Sequence, residues 1–444
     1  MGTLIPSGDE RLLLGRFYGA TFLAEVAHLA MPFQVLLIVR YLDQPQLGVL
    51  LGIEQLVGLT MEIPSGAWAD RFGRKRCVLA GHVLSAAGWL LIPAATMLDE
   101  HLRLAGMGAA FGLLGAGTAL VSGALEAWVV DNLRFKGRQD LAIRFFGRER
   151  SLAASGGIAA DLLALVALSA LWDIRLFWIV TGAGELIALA ILWRAPEHAP
   201  TGAGLDGPVA DANSTIENSV DECQADDEDE EDELDEHASI RDAVTRGFAA
   251  IWRRPALLAC TLALVWLAAS FGTSHEAFQA ALAEADLAEQ GFAGLELGVD
   301  TLGIFAPLLA IVLARHFGSR PLLALGIVMS AGIALTIWRQ PGVLGMASAY
   351  LLVIACGDIL HTIADDYQHQ LLPSAVRATA SSAINLVTSI AMLVSTGWLT
   401  VLLAEWSAAE TVAIMGVATL PAALFLIPKF SRTEVCPPID KALT

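Results

Sequence analysis

Apolar residues in this chain gather into long runs parted by short polar stretches. Twelve runs reach the roughly 20 residues that a helix needs to cross a bilayer. They fall near 12–39, 47–68, 75–98, 102–130, 147–171, 174–194, 254–272, 294–314, 320–338, 343–367, 376–403 and 408–428. Six precede and six follow one long polar interval. The pattern predicts an all-α membrane protein of twelve transmembrane helices in two pseudo-symmetric halves. Its units are a first half (1–194), a linker (195–245), a second half (246–430) and a tail (431–444). The first run is too long for the core of a signal peptide, and no small-residue cleavage site follows it. Pro32 within it predicts a kink.

Composition agrees: 55% of residues are hydrophobic, 16% are charged, and mean hydropathy is +0.60. Charge then orients the chain. With both termini in the cytoplasm, 23 of the 27 Lys and Arg lie on or near that side, and only Arg40, Arg103, Arg175 and Arg339 lie outside. This asymmetry is what multi-pass insertion demands, and it predicts a cell-membrane protein with cytoplasmic termini. The net charge of −19 is concentrated, because residues 206–236 hold fifteen acids and no Lys or Arg. Such a segment cannot bury enough apolar surface to fold, so a solvated cytoplasmic linker is expected. A sharper alternative is a regulatory segment that docks on the basic stretch Arg134–Arg150. Five scattered cysteines without CxxC spacing give no case for a disulfide framework or a metal site. No P-loop is present, histidines lack ligand spacing, and neither an enzyme nor a cofactor is expected.

Between the second and third runs stands Gly66-Ala67-Trp68-Ala69-Asp70-Arg71-Phe72-Gly73-Arg74-Lys75-Arg76. The pattern G-x-x-x-D-R-x-G-R-K-R resembles the signature between helices 2 and 3 of the major facilitator superfamily of secondary transporters. Ser122–Asp131, with Glu126, is similar to a second pattern at the end of helix 4 in bacterial branches. The halves resemble each other too: Gly52–Leu56 matches Gly298–Leu302, and Asp70–Arg74 matches Arg315–Ser319, at offsets of 246 and 245. Two patterns of drug-exporting branches are missing. Phe111 stands where an arginine is usual, and Ala153–Gly157 lacks a Gly-Pro pair.

The resemblance implies alternating access, a mid-membrane substrate site between the halves, and a cavity lined by helices 1, 4, 7 and 10. It also implies that Gly66, Asp70, Arg71, Gly73 and Arg74 form a gate against the start of helix 11, Ser374-Ala375-Val376. Arg74 would bridge Asp70 to Asp131. In the second half the counterparts are Arg315, Gly318 and Asp366, with Arg315 facing Asp366.

Ionisable side chains within the runs are costly in hydrocarbon, so each is a candidate site. Glu25 and His28 share one face of helix 1, and Glu126 lies in helix 4. Asp161 and Glu185 lie in helices 5 and 6, while Asp358, His361 and Asp365 form a stripe along helix 10. Carboxylates beside histidines suit proton binding; the other reading is structural pairing between helices. Glu54 and Glu62 share one face of helix 2, with contact to helix 11 the preferred expectation and lining of the cavity the alternative, and His275 and Glu276 are expected to close helix 7 at the outer surface. The leading expectation is proton-coupled export of a small cationic or amphiphilic compound by a monomer. The alternatives are a proton-coupled importer of a sugar or organic solute, and a membrane sensor or scaffold that does not transport. Nucleic acid is not expected as a partner.

Overall fold

The computed structural model describes residues 8–170, 173–198, 251–252, 254–339, 342–371 and 377–426. The rest of the 195–245 linker, the 431–444 tail and Ser374–Val376 lie outside the described residues, as do the side chains of Asp70, Arg315 and Asp365. The described chain is helical throughout, as the twelve runs predict. Ten of its helical segments are long and apolar enough to cross a membrane.

We number the helices by the runs they realise: α1 (Gly8–Tyr41), α2 (Gln44–Phe72), α3 (Arg74–Ala95), α4 (Glu100–Phe135), α5 (Ala142–Ser169), α6 (Arg175–Trp193), α7 (Pro255–Glu284), α8 (Glu289–Phe317), α9 (Ser319–Ile337), α10 (Val343–Leu371), α11 (Arg377–Glu405) and α12 (Ala408–Leu426). Local chemistry sets several boundaries. Pro45 opens α2, and Gln46 Oε1 accepts the Asp43 N–H at 3.2 Å. Ser407 and Glu410 cap α12 reciprocally. The turn between α2 and α3 is made by Gly73 at φ 98°, and its repeat partner Gly318 turns α8 into α9 at φ 79°. A side chain at either position would be strained, so the repeat seen in sequence is also a repeat of backbone geometry.

Four of the described helices are interrupted: α12 at Thr419, and α1, α4 and α7. The kink expected at Pro32 is a full break of α1 between Val26 and Gln34, closed by a 3₁₀ turn at Met31–Phe33. Helix α4 breaks at Ser122-Gly123, where Gly123 takes φ 70°. Helix α7 breaks at Gly272-Thr273 and then continues through Ser274–Glu284. Freed backbone groups in hydrocarbon need polar partners. Thr181 of α6 meets this need for α1, accepting from the Ala30 N–H at 3.2 Å and donating to the Ala27 carbonyl at 2.9 Å. Ser395 of α11 does the same for α7, accepting from the Thr273 N–H at 3.1 Å.

The halves α1–α6 and α7–α12 meet chiefly where α2 packs on α11 and α5 on α8. Large apolar side chains such as Val166 on α5, Leu308 on α8 and Val401 on α11 are exposed, as a lipid-facing belt would be. Cores are distributed unequally along the bundle. At the end bearing Arg40, residues of both halves share one core, among them Phe33, Leu37, Phe278, Tyr350 and Leu402. Polar contacts seal that end: Arg40 Nη2 pairs with Glu289 Oε1 at 2.8 Å, and Gln44 Nε2 donates to Glu284 Oε1 at 2.7 Å. At the end bearing the Gly66–Arg76 motif the halves keep separate cores, around Trp128 and Phe145 in the first and around Leu323 and Ile327 in the second. The described bundle is therefore shut at the Arg40 end and parted at the motif end.

Candidate functional site

Between the parted halves lies a cavity of about 360 Å³. Glu54, Glu62 and Gly58 of α2 and Thr118 and Ser122 of α4 form its first-half wall. Opposite them stand Thr273 and Glu276 of α7 with Met392 and Thr396 of α11. The lining holds three glutamates and neither lysine nor arginine. Glu54 and Glu276 are close enough to interact electrostatically across the halves, and Glu276 Oε2 is buried without a hydrogen-bond partner among the described residues.

Two expectations change here. His275 and Glu276 do not close helix 7 at the surface, because α7 resumes after its break and carries them inside. His275 Nδ1 faces the Tyr350 hydroxyl at 2.8 Å, and that hydroxyl donates to Glu296 Oε1 at 3.1 Å. Gln279 Nε2 also donates to Glu296, at 2.6 Å. Glu54 and Glu62 line the cavity, while the contact with α11 falls earlier on α2. There a side-chain atom on Gly52 would lie 3.1 Å from Thr396 Oγ1, and one on Gly48 would run into Thr396 and Thr400. Only small residues let α2 and α11 approach so closely.

None of Glu25, His28, Glu126, Asp161, Asp358 and His361 lines this cavity. Its walls come from α2, α4, α7 and α11, not from α1 or α10. Glu25 and His28 do meet, with Nδ1 to Oε2 at 3.4 Å, but the break in α1 turns His28 into its own half. There His28 Nε2 stands 3.9 Å from Glu185, which pairs with His82 of α3 at 2.7 Å. The result is a row Glu25–His28–Glu185–His82 across α1, α6 and α3. Glu126 is exposed on the far piece of α4, within electrostatic reach of Glu149. Asp161 is 5% exposed and neighbours Asp300 and Glu296 of α8 across the halves. Asp358 points toward Gly303 of α8, and His361 follows one turn on in the same helix. Sequence reasoning missed His82, Glu296 and Asp300, although each is an ionisable residue inside an apolar run, and Asp300 is the repeat partner of Glu54.

At the motif, Arg74 forms an ion pair with Asp131 and donates to the Ala127 carbonyl at 2.8 Å, so the predicted Asp131 arm of the bridge is present. Arg71 lies over the Phe72 ring at 5.3 Å. A side chain on Gly66 would meet no described atom within 4 Å, as fits halves parted at this end. Asp366 is exposed, and its expected partner Arg315 has an undescribed side chain. The chain leaving α6 is strapped over the motif: Lys75 Nζ donates to the Ala195 carbonyl at 2.7 Å, the Lys75 N–H to Glu197 Oε1 at 3.0 Å, and Trp128 Nε1 to the Pro196 carbonyl at 3.0 Å.

The Arg74–Asp131 pair gives a double-mutant test. Arg74→Ala leaves a largely buried carboxylate without its cation, which costs about 1–3 kcal/mol. We expect its unfolding temperature to fall, and the Arg74→Ala/Asp131→Ala double variant to recover part of the loss in a thermal-shift assay. A double variant less stable than the single would show that the pair is not what holds Asp131.

The nucleoside transporter NupG superposes with a TM-score of 0.68 at 12% identity, covering 94% of this chain and 99% of that one. A D-xylose–proton symporter gives 0.63 at 14% identity over 95% and 97% of the two chains. A bacterial homologue of the iron transporter ferroportin, in an inward-facing state, gives 0.62 at 17% identity over 93% and 97%. These likenesses concern the fold. Among curated proteins none matches the sequence. The family model described as Major Facilitator Superfamily matches residues 17–396, and the chain belongs to that superfamily.

Proposed function

We propose that this protein is a secondary active transporter working by alternating access, and that it exports a small cationic or amphiphilic organic compound in exchange for protons. The observation that carries this reading is the acidic cavity between the halves, with Glu54, Glu62 and Glu276 and no basic lining residue. Three carboxylates in a half-dry space favour a cation that replaces lost hydration. The orientation read from Lys and Arg puts the motif end in the cytoplasm. On that reading the described conformation is inward-facing and collects its substrate from inside the cell membrane.

Alternating access requires that opening at one end accompany closure at the other. The fused core at the Arg40 end and the divided cores at the motif end form one of the two states. The second would close Gly66 and Asp70 against α11, which makes the motif a gate. Glu25 and Asp358 are proposed to take part in proton coupling from either side of the junction.

A rival reading, proton-coupled import of a sugar or organic solute, draws support from the likeness to a D-xylose–proton symporter. Flux in proteoliposomes with an imposed proton gradient separates the two. Tetraphenylphosphonium should move against the proton gradient and D-xylose should not. Glu25→Gln and Asp358→Asn should each abolish the dependence on the gradient. Gradient-driven movement of D-xylose in the direction of the protons would favour import, and no flux across a panel of cations and solutes would favour a sensor or scaffold.

A further inference from the structure

On the shut side of the cavity, α5 of the first half lies against α8 of the second. The carboxylate of Asp300 rests on Gly157, so closely that a methyl group there would collide with its Oδ2. Asp161 follows Gly157 by one turn on the same face of α5. It is 5% exposed, and its Oδ2 has no hydrogen-bond partner among the described residues. Asp300 and Glu296 are its electrostatic neighbours. Two carboxyl groups thus stand one helical turn apart across the very junction that must part when the Arg40 end opens.

The surroundings do not supply a neutralising cation. From α1, Glu25 reaches Asp300 and adds a third negative group. His28 on α1 faces Glu25 and Glu185 within its own half. From α8, Glu296 is already served by Gln279 and Tyr350, with His275 Nε2 at 3.5 Å. Asp358 of α10 approaches α8 one turn beyond Asp300, at Gly303. Two carboxylates in one poorly hydrated contact cannot both stay ionised, and one proton held between them removes the repulsion.

We infer that the junction of Asp161 and Asp300 holds one proton between the halves, and that this proton locks the Arg40 end shut. When the end opens, water reaches the pair, the proton leaves, and both carboxylates are solvated apart. Without the proton the closed contact holds two facing charges and the open state gains population. The site lies apart from the acidic cavity. The inference rests on alternating access alone and holds whichever compound crosses and in whichever direction.

Hydrogen–deuterium exchange on the full chain in lipid nanodiscs tests this without any substrate. The reporters are backbone amides of residues 42–44, 46 and 285–289 at the Arg40 end, in wild type and variants at the same pH so that intrinsic exchange cancels. As pH rises through the range in which the closed state still holds the proton and the open state does not, the closed-to-open ratio should fall about tenfold per pH unit, so wild-type protection should drop relative to Asp161→Asn. Asp161→Asn, which replaces the carboxyl with a neutral amide, should stay protected throughout. Asp300→Asn should behave likewise, and it serves as the second variant if the first does not fold. A wild-type pH response retained in both variants would overturn the inference. So would protection that follows sodium against potassium at fixed pH, which would make the bound cation a sodium ion.

Discussion

Leucine in place of Gly117 is expected to leave almost no folded protein. Helices α3 and α4 meet along a seam of small residues, with Gly81, Ser85 and Gly88 on one side and Ala110, Leu114 and Gly117 on the other. A single carbon added at Gly117 would sit 2.8 Å from the Ser85 nitrogen and 2.9 Å from the Gly81 carbonyl oxygen. Both are backbone atoms, so no side chain can swing aside. Packing in a membrane draws on close van der Waals contact because lipid tails are as apolar as leucine, and spreading the helices forfeits it. An overpacked buried site costs about 1–3 kcal/mol, and leucine adds three more carbons to a contact already too tight. The expected result is at least a tenfold loss (about 1.4 kcal/mol per decade) of monodisperse protein after detergent extraction. Gly332→Leu is the control, since Gly332 is exposed and a side chain there meets no described atom within 4 Å. A well-behaved Gly117→Leu variant would show that this seam does not set the fold.

That seam was not legible in the sequence, although its glycines were. Run length gives the helices, because a helix must satisfy its own backbone in hydrocarbon and the bilayer fixes how long it must be. The motif was legible for a different reason: Gly66–Arg76 is a short charged stretch between two long apolar runs, and the structure turns the chain there at Gly73. Packing partners are another matter. Gly81 and Gly117 look like any small residues within an apolar run until the fold puts one against the other. The α7 break shows the limit most sharply. Apolar continuity stops at Ser274-His275-Glu276, and a polar triplet at the end of a long run reads as a surface. The helix instead resumes with Ala277, Phe278, Ala280 and Leu282 buried, and the interruption moves from the membrane surface to its interior. The break in α1 at the matching place in the first half was the available signal, through Pro32 and the repeat. Glu54 and Asp300 tell a similar story. Repeat symmetry pairs them, yet one faces the cavity and the other the α5–α8 junction, because that choice depends on which helix each half sets against them.

The relocation of Glu276 leads to the second large effect. Glu276→Gln keeps the size of the side chain and removes its charge, and it is expected to abolish transport of an organic cation while leaving the fold intact. In the shut-end conformation Glu276 offers the cavity a buried carboxylate oxygen with no described hydrogen-bond partner, opposite Glu54. Such a group is poorly served until a cation arrives, so the bound cation recovers what the empty site has lost. Losing a charged partner of this kind is worth about 1.5–3 kcal/mol, or about 10-fold to 150-fold in affinity. Stability should move the other way. With Glu276 neutral, repulsion between it and Glu54 is relieved, and the unfolding temperature should hold or rise. This opposition separates a binding role from a structural one. A residue that held α7 in place would lose both together. The measurements are tetraphenylphosphonium binding and flux in proteoliposomes beside thermal unfolding of the same preparations. Undiminished binding would remove Glu276 from the site, and a drop in unfolding temperature to match the lost flux would recast it as a packing residue. Glu62→Gln, nearer the motif end of the same wall, should weaken binding less, because Glu62 is exposed and keeps more of its water.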